Sequence, residues 1–216
     1  MPSTLYMLMA TSLVIGSLAL THRVDWLGGW PIGPSVLLAG SLIPALLQGR
    51  GTAELGLRIG RLRRTVRWTC VAAVVLGALG LGGVSVLGHI GMELPLRLCG
   101  PPEKWGLWAL YQYLYVAVPE ELFFRGYLMT GIMGRVRLVT DKGVWRSPSA
   151  SAAVLASAAV FALSHALVLG DPAGWVTFVP GLVFAWLFAR TGSLAGPILL
   201  HGTANVGYRV MGLYLV

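Results

Sequence analysis

Long stretches without a single charge constrain this chain more than any other feature. They run from Met1 to Thr21, Trp26 to Gly49, Trp68 to Gly88, Trp105 to Pro119, Ser147 to Ser164 and Pro172 to Ala189. A seventh, Thr191 to Val216, is apolar but carries His201 and Arg209. A membrane span takes about 20 mostly apolar residues, and little chain is left over between these runs. With 56% of its 216 residues hydrophobic and 11% charged, the chain lacks the polar surface of a soluble domain. Within a single lipid-exposed segment only a helix satisfies its own backbone hydrogen bonds. The expected fold class is therefore all-α, a polytopic transmembrane helical bundle of seven to eight helices, seven spans with room for an eighth helical piece near residues 121 to 134. Residues 1–216 read as one membrane domain, with N-terminal membrane helices over 1–100 and the helices that carry the candidate chemistry over 101–216.

The formal net charge of +8 does not point to nucleic acid, because the basic residues are not laid along one element with interleaved aromatics. They gather in connectors. Arg50, Arg58, Arg61, Arg63, Arg64 and Arg67 fall in one, Arg135, Arg137, Lys142 and Arg146 in another, and Arg190 in a third. Only Arg23, Arg97 and Lys104 fall in the alternate connectors. By the positive-inside rule this predicts a multi-pass protein of the cell's inner (plasma) membrane with a cytoplasmic N-terminus. The first span then runs outward and the fourth returns. The arginine-rich connector reads as a solvated topology determinant, with an anionic-lipid patch or a docking site for a partner as the alternatives. Residues 1–21 lack a positive n-region and a good cleavage site, so they are expected to stay as the first span. Cys70 and Cys99 are too few for a disulfide framework or a structural zinc site. Gly77, Gly80, Gly82 and Gly83 predict close helix approach at the third span. No internal repeat of the kind that builds many transporters is apparent.

Six acidic residues, Asp25, Glu54, Glu93, Glu103, Asp141 and Asp171, lie in or beside connectors where water solvates them. Glu120 and Glu121 do not, since they stand between Tyr115-Val116-Ala117-Val118-Pro119 and Leu122-Phe123-Phe124. A carboxylate inside a membrane helix is a functional-site hypothesis by default. Arg125 is one turn past Glu121, so these two can share a face and neutralise each other. An ion pair that only fixes helix packing accounts for them equally well. It leaves Glu120 surplus. His165 and His201 also fall in apolar segments, and Asn205 is four residues after His201 on the same face. Helix rise sets Glu120 and His165 deeper from the inner connectors than His201, unless helices tilt, break at Pro119 or begin late. A carboxylate, a histidine, and a histidine with an asparagine, each on its own apolar helix, make the inventory of a hydrolytic site in which one group activates water and others hold an oxyanion. Two rival readings are a transporter or channel with a buried Glu/Arg/His path and a non-catalytic membrane partner.

Taken together, Glu120-Glu121-Leu122-Phe123-Phe124-Arg125, Phe161 to His165 and His201 to Asn205 resemble the EExxxR, FxxxH and HxxxN motifs of the CPBP family, which includes type II CAAX prenyl endopeptidases and bacteriocin-processing proteases. The order matches, and the resemblance covers the C-terminal half of the chain. It implies an intramembrane endopeptidase in which Glu120 and His165 polarise the attacking water, Glu121 and Arg125 orient that pair, and His201 and Asn205 stabilise the oxyanion. Its implied partners are the lipid bilayer and a membrane-embedded or lipid-anchored protein or peptide, cut in CAAX-type processing, peptide maturation or removal of a C-terminal sorting tag. For the non-catalytic reading, the same resemblance implies a bacteriocin-immunity protein. No cofactor is expected. Zinc is the alternative, because one glutamate with two histidines is a ligand set it accepts.

Overall fold

The computed structural model describes residues 2–23, 32–58, 62–89, 101–134 and 148–214. Cys99 and the basic connector at 135–146 lie outside them. Among the described residues there is no strand, and seven helical rods follow one another: α1 (Pro2–Arg23), α2 (Ile32–Leu47), α3 (Leu62–His89), α4 (residues 105–133), α5 (Pro148–Leu169), α6 (Pro172–Thr191) and α7 (Ala195–Tyr214). Stretches within α1, α3, α5 and α6 are long and apolar enough to cross a membrane. The 16 residues of α2 reach only about 24 Å, and α4 and α7 carry the charged and polar groups singled out above.

The piece expected near 121 to 134 is not an eighth helix. It is the second half of α4, which runs through Pro119 without a break. Proline has no N–H to give to the preceding turn. The helix accommodates it by widening to π-type turns on both sides, over Gln112–Ala117 and Leu122–Met129, with the Val118 N–H reaching back to the Tyr113 carbonyl. Such widened turns concentrate at functional sites.

α4 is the centre of the bundle. α2, α5 and α7 pack around it, α1 and α6 complete the inner ring, and α3 lies outside against α6 and α7. All eight residues of the second π-type stretch, Leu122 to Met129, are buried. The main core forms where Phe123, Phe124 and Tyr127 meet Phe161 of α5 and Phe188 of α6. A second cluster joins Ala72 of α3 to Phe184, Leu187 and Leu200. The glycines of α3 behave differently from expectation. α3 docks through Trp68, Ala72 and Leu76, so Gly77, Gly80, Gly82 and Gly83 point elsewhere, and a Cβ on any of them would meet nothing within 4 Å.

The arginine-rich connector also departs in part from a solvated loop. Its first residue, Arg50, folds inward and donates from Nη1 to the Tyr127 carbonyl at 3.2 Å, and from Nη2 to the Gly126 carbonyl at 3.4 Å and the Thr130 hydroxyl. Burial draws the Arg50 guanidinium below its ordinary pKa, while the Tyr127 hydroxyl and Glu54 act the other way. The following residues close over the same end: Leu55 is buried, and the Gly56 carbonyl accepts from the Leu194 N–H at 3.0 Å. Gly126 makes this possible, because a Cβ there would stand 2.8 Å from the Leu55 carbonyl oxygen.

Arg50→Ala is expected to lower stability by about 1–3 kcal/mol, the range for a buried charge-assisted hydrogen-bond group. Arg63→Ala, at an exposed position, is expected to leave it unchanged. Thermal unfolding of the two variants in one detergent checks this.

Candidate active site

The two glutamates lie near the middle of α4 and diverge at once. Glu121 points into the bundle, fully buried, while Glu120 is partly accessible. Arg125, one turn on and also fully buried, donates from Nη1 to Glu121 Oε1 at 3.0 Å and from Nη2 to the Gly181 carbonyl of α6 at 3.0 Å. Aromatic rings surround the guanidinium, with Phe161 at 4.5 Å and Phe184 at 5.5 Å from its central carbon to the ring centroids. Charge, hydrogen bonds and cation–π contact together offset the loss of water.

The same Glu121 oxygen meets His201 Nδ1 at 2.8 Å. An ionised carboxylate only accepts, so Nδ1 carries the hydrogen. The imidazole stacks on Phe184 at 4.9 Å and meets the edge of Phe161. So held, His201 turns Nε2 toward Glu120, 3.8 Å from Oε2. His165 of α5 repeats the logic. Its Nδ1 is 2.9 Å from the Phe161 carbonyl, which also only accepts, and its Nε2 faces Glu120 Oε2 at 3.9 Å. Both Nε2 atoms are lone pairs in the neutral rings and donors when the rings are protonated.

Five of the six residues singled out from sequence, Glu120, Glu121, Arg125, His165 and His201, therefore meet in one cluster drawn from three helices. Asn205 is about 6 Å further along α7. Its Nδ2 donates to Gln112 Oε1 at 3.1 Å, which leaves one amide hydrogen uncommitted in that pairing. Beside it Gly202 has no side chain to keep away the Tyr113 ring, and the Tyr113 and Thr203 hydroxyls are 2.9 Å apart. These contacts run antiparallel along α4 and α7. Gln112 was not anticipated, although a lone amide in the apolar run Trp105 to Pro119 is a visible signal.

The depth mismatch between His201 and the other site residues resolves at the turn before α7. Ser193 and Leu194 are buried under the 48–58 connector, so α7 starts well inside the bundle. The late start, and no break at Pro119, aligns His201 with Glu120.

A cavity of about 170 Å³ reaches the site. Glu120 and His165 line it on one side, and Leu37, Tyr111, Tyr115 and Val168 contribute mostly apolar walls. Among the described residues no group of three or more His, Cys, Asp or Glu side chains is arranged to hold a metal ion.

Residues 102–207 match the family model described as Rce1-like, type II CAAX prenyl endopeptidase Rce1-like. No curated protein and no solved structure matches the chain.

Breaking a buried ion pair from one side costs about 3–5 kcal/mol. Arg125→Met is expected to lower stability by an amount of that order, because Glu121 is left uncompensated. Glu120→Gln, which removes no bonded partner, is expected to unfold near the parent temperature. Parallel thermal melts of these two variants separate the structural carboxylate from the free one.

Proposed function

We infer that this chain, whose residues 102–207 belong to the Rce1-like family of type II CAAX prenyl endopeptidases, hydrolyses a peptide bond of a membrane-anchored or lipid-modified protein or peptide with water activated by Glu120 and His165. One observation carries the reading: Glu120 Oε2 stands 3.9 Å from His165 Nε2 and 3.8 Å from His201 Nε2. Those gaps are too long for direct hydrogen bonds. Two bonds of about 2.8 Å meeting near a right angle on one water span about 4 Å.

In this mechanism the water donates to Glu120 and is aligned by His165. As its oxygen bonds to the scissile carbonyl carbon, a proton passes to Glu120, and the carbonyl oxygen takes up negative charge. His201 donates to that oxyanion from Nε2 when its ring carries a proton there, and the uncommitted amide hydrogen of Asn205 supplies a second donor. Donors aimed at charge that appears only in the transition state lower the barrier selectively. Glu120 then returns its proton to the departing amine as the C–N bond breaks. Glu121 and Arg125 take no part in these transfers. They hold His201 by Nδ1 and fix the phase of α4.

No cofactor enters this mechanism, and zinc on Glu120, His165 and His201 is the alternative it has to beat. Stoichiometric zinc in protein purified without a histidine tag, lost together with activity in strong chelator, would overturn the metal-free route. Activity unchanged in chelator is the expected result.

The function itself is tested by incubating purified protein in proteoliposomes with a library of membrane-anchored peptides and following cleavage by mass spectrometry. Glu120→Ala and His165→Ala are each expected to slow cleavage by about 10²–10⁴, the usual contribution of a positioned acid or base. Undiminished cleavage in both refutes the assignment. Ion flux without cleavage favours a transporter.

A further inference from the structure

The two ends of the bundle are not equivalent. At one end the helix termini of α2, α4 and α6 meet the starts of α3, α5 and α7. Contacts fix them together: Arg50 on Gly126 and Tyr127, Gly56 on Leu194. This end is closed. Between the carboxylates and the connector every residue from Leu122 to Met129 is buried, and Leu55, Leu194 and Met133 fill what remains. The cavity runs the other way. Its walls are Leu18 near the end of α1, Gly33 and Pro34 in the first turn of α2, Tyr111 and Tyr115 in the first half of α4, and Val168 in the last turn of α5. Tyr111 and Tyr115 stack at 5.3 Å at its edge and stay about half exposed.

Charge separates the same two ends. The connectors joining α2 to α3, α4 to α5 and α6 to α7 hold, with the flanking helix ends, eleven Lys and Arg residues, from Arg50 to Arg67, from Arg135 to Arg146, and Arg190, against Glu54 and Asp141. The opposite connectors hold Arg23, Arg97 and Lys104 against Asp25, Glu93, Glu103 and Asp171. A bias of that size places the arginine-rich end in the cytoplasm.

We propose that the Glu120–His165 site opens at the non-cytoplasmic face of the membrane, so that its substrate is an exported or outer-leaflet-anchored peptide that enters with apolar side chains leading. The statement of substrate rests on the hydrolase reading above. The orientation does not. A cytoplasmic peptide faces a closed end, with the Arg50 connector and the buried second half of α4 between it and the carboxylates. From the opposite face, a chain segment between α1, α2 and α5 reaches Glu120 along walls that accept apolar side chains. Among the substrate classes implied by the motifs, peptide maturation and removal of a sorting tag at the outer face fit this entry, and trimming of a lipidated cytosolic C-terminus does not.

Single cysteines in a Cys70→Ser, Cys99→Ser background test the orientation without any use of activity. Gly33→Cys and Tyr111→Cys report the cavity mouth, and Thr52→Cys reports the closed end. A membrane-impermeant maleimide added to intact spheroplasts is expected to label the first two and spare Thr52→Cys, which reacts in inverted vesicles. Labelling of Thr52→Cys from outside, or of both mouth positions only from inside, overturns the proposal, as does failure of both mouth positions to react from either side. Two single-span peptides with the same apolar cleavable segment, placed on the outer or the inner side, test the substrate. Cleavage of the outer one alone is expected. Preference for the inner one overturns the proposal. Correct labelling with neither peptide cut by the wild-type protein overturns the substrate statement through the hydrolase reading and leaves the orientation standing.

Discussion

A guanidinium in the middle of an apolar bundle has to be neutralised where it stands, and the neutralisation of Arg125 sets the geometry of everything around it. Its Nη1 takes Glu121, its Nη2 takes the carbonyl of Gly181, and Phe161 and Phe184 enclose it. Those partners come from α4, α5 and α6. The remaining capacity of Glu121 Oε1 goes to His201 Nδ1, which brings in α7. One buried charge therefore registers four helices against each other. Breaking such a pair from one side leaves the other charge bare, which is why the arrangement resists slippage even if the pair adds little net stability.

Register then separates the two adjacent carboxylates. Consecutive residues on a helix point roughly 100° apart, so once Glu121 is turned inward Glu120 must face the seam between α5 and α7. There it meets two imidazoles whose Nδ1 atoms are already engaged, one by Phe161 and one by Glu121. Both rings can present only Nε2. The result is a carboxylate with two nitrogens at a distance suited to a small bridging molecule and too long for direct hydrogen bonds. The two acids therefore differ sharply in surroundings, with Glu121 committed to Arg125 and His201 and Glu120 turned to the cavity without a bonded partner.

Much of this was legible in the chain. The i,i+4 spacing of Glu121 and Arg125, the surplus of Glu120 and the presence of two histidines in apolar helices each follow from local sequence. Uncharged runs indicate the all-helical class and, the end of α4 apart, every described helix end to within six residues. What was hidden depends on contacts between distant segments. His201 and Glu121 are 80 residues apart, and no local pattern tells that the histidine is held by the inner carboxylate. Arg50 is one of six arginines in its run, and only its contacts with the Gly126 and Tyr127 carbonyls distinguish it. Pro119 looked like a helix end because its effect on an ordinary turn is to break it, whereas a widened turn absorbs the missing donor. The glycines of α3 carried a packing signature with no partner on that face, since burial of Trp68 and Ala72 determines which side of the helix docks.

The closed end also bears on what kind of membrane protein this is. A transporter has to admit its substrate from each side in turn, so the seals at both ends must open at modest cost. Here one seal is built from Arg50 on two main-chain carbonyls and a hydroxyl of α4, a connector carbonyl on the Leu194 N–H, and eight consecutive buried residues of the central helix. Opening it would expose that core and strip the arginine of its partners together. Hydrolysis asks for less: a single mouth, a route for water, and a polar cluster held rigidly at the bottom. The asymmetry of the bundle, firmly shut behind Glu121 and open in front of Glu120, is the shape that this one-sided chemistry needs.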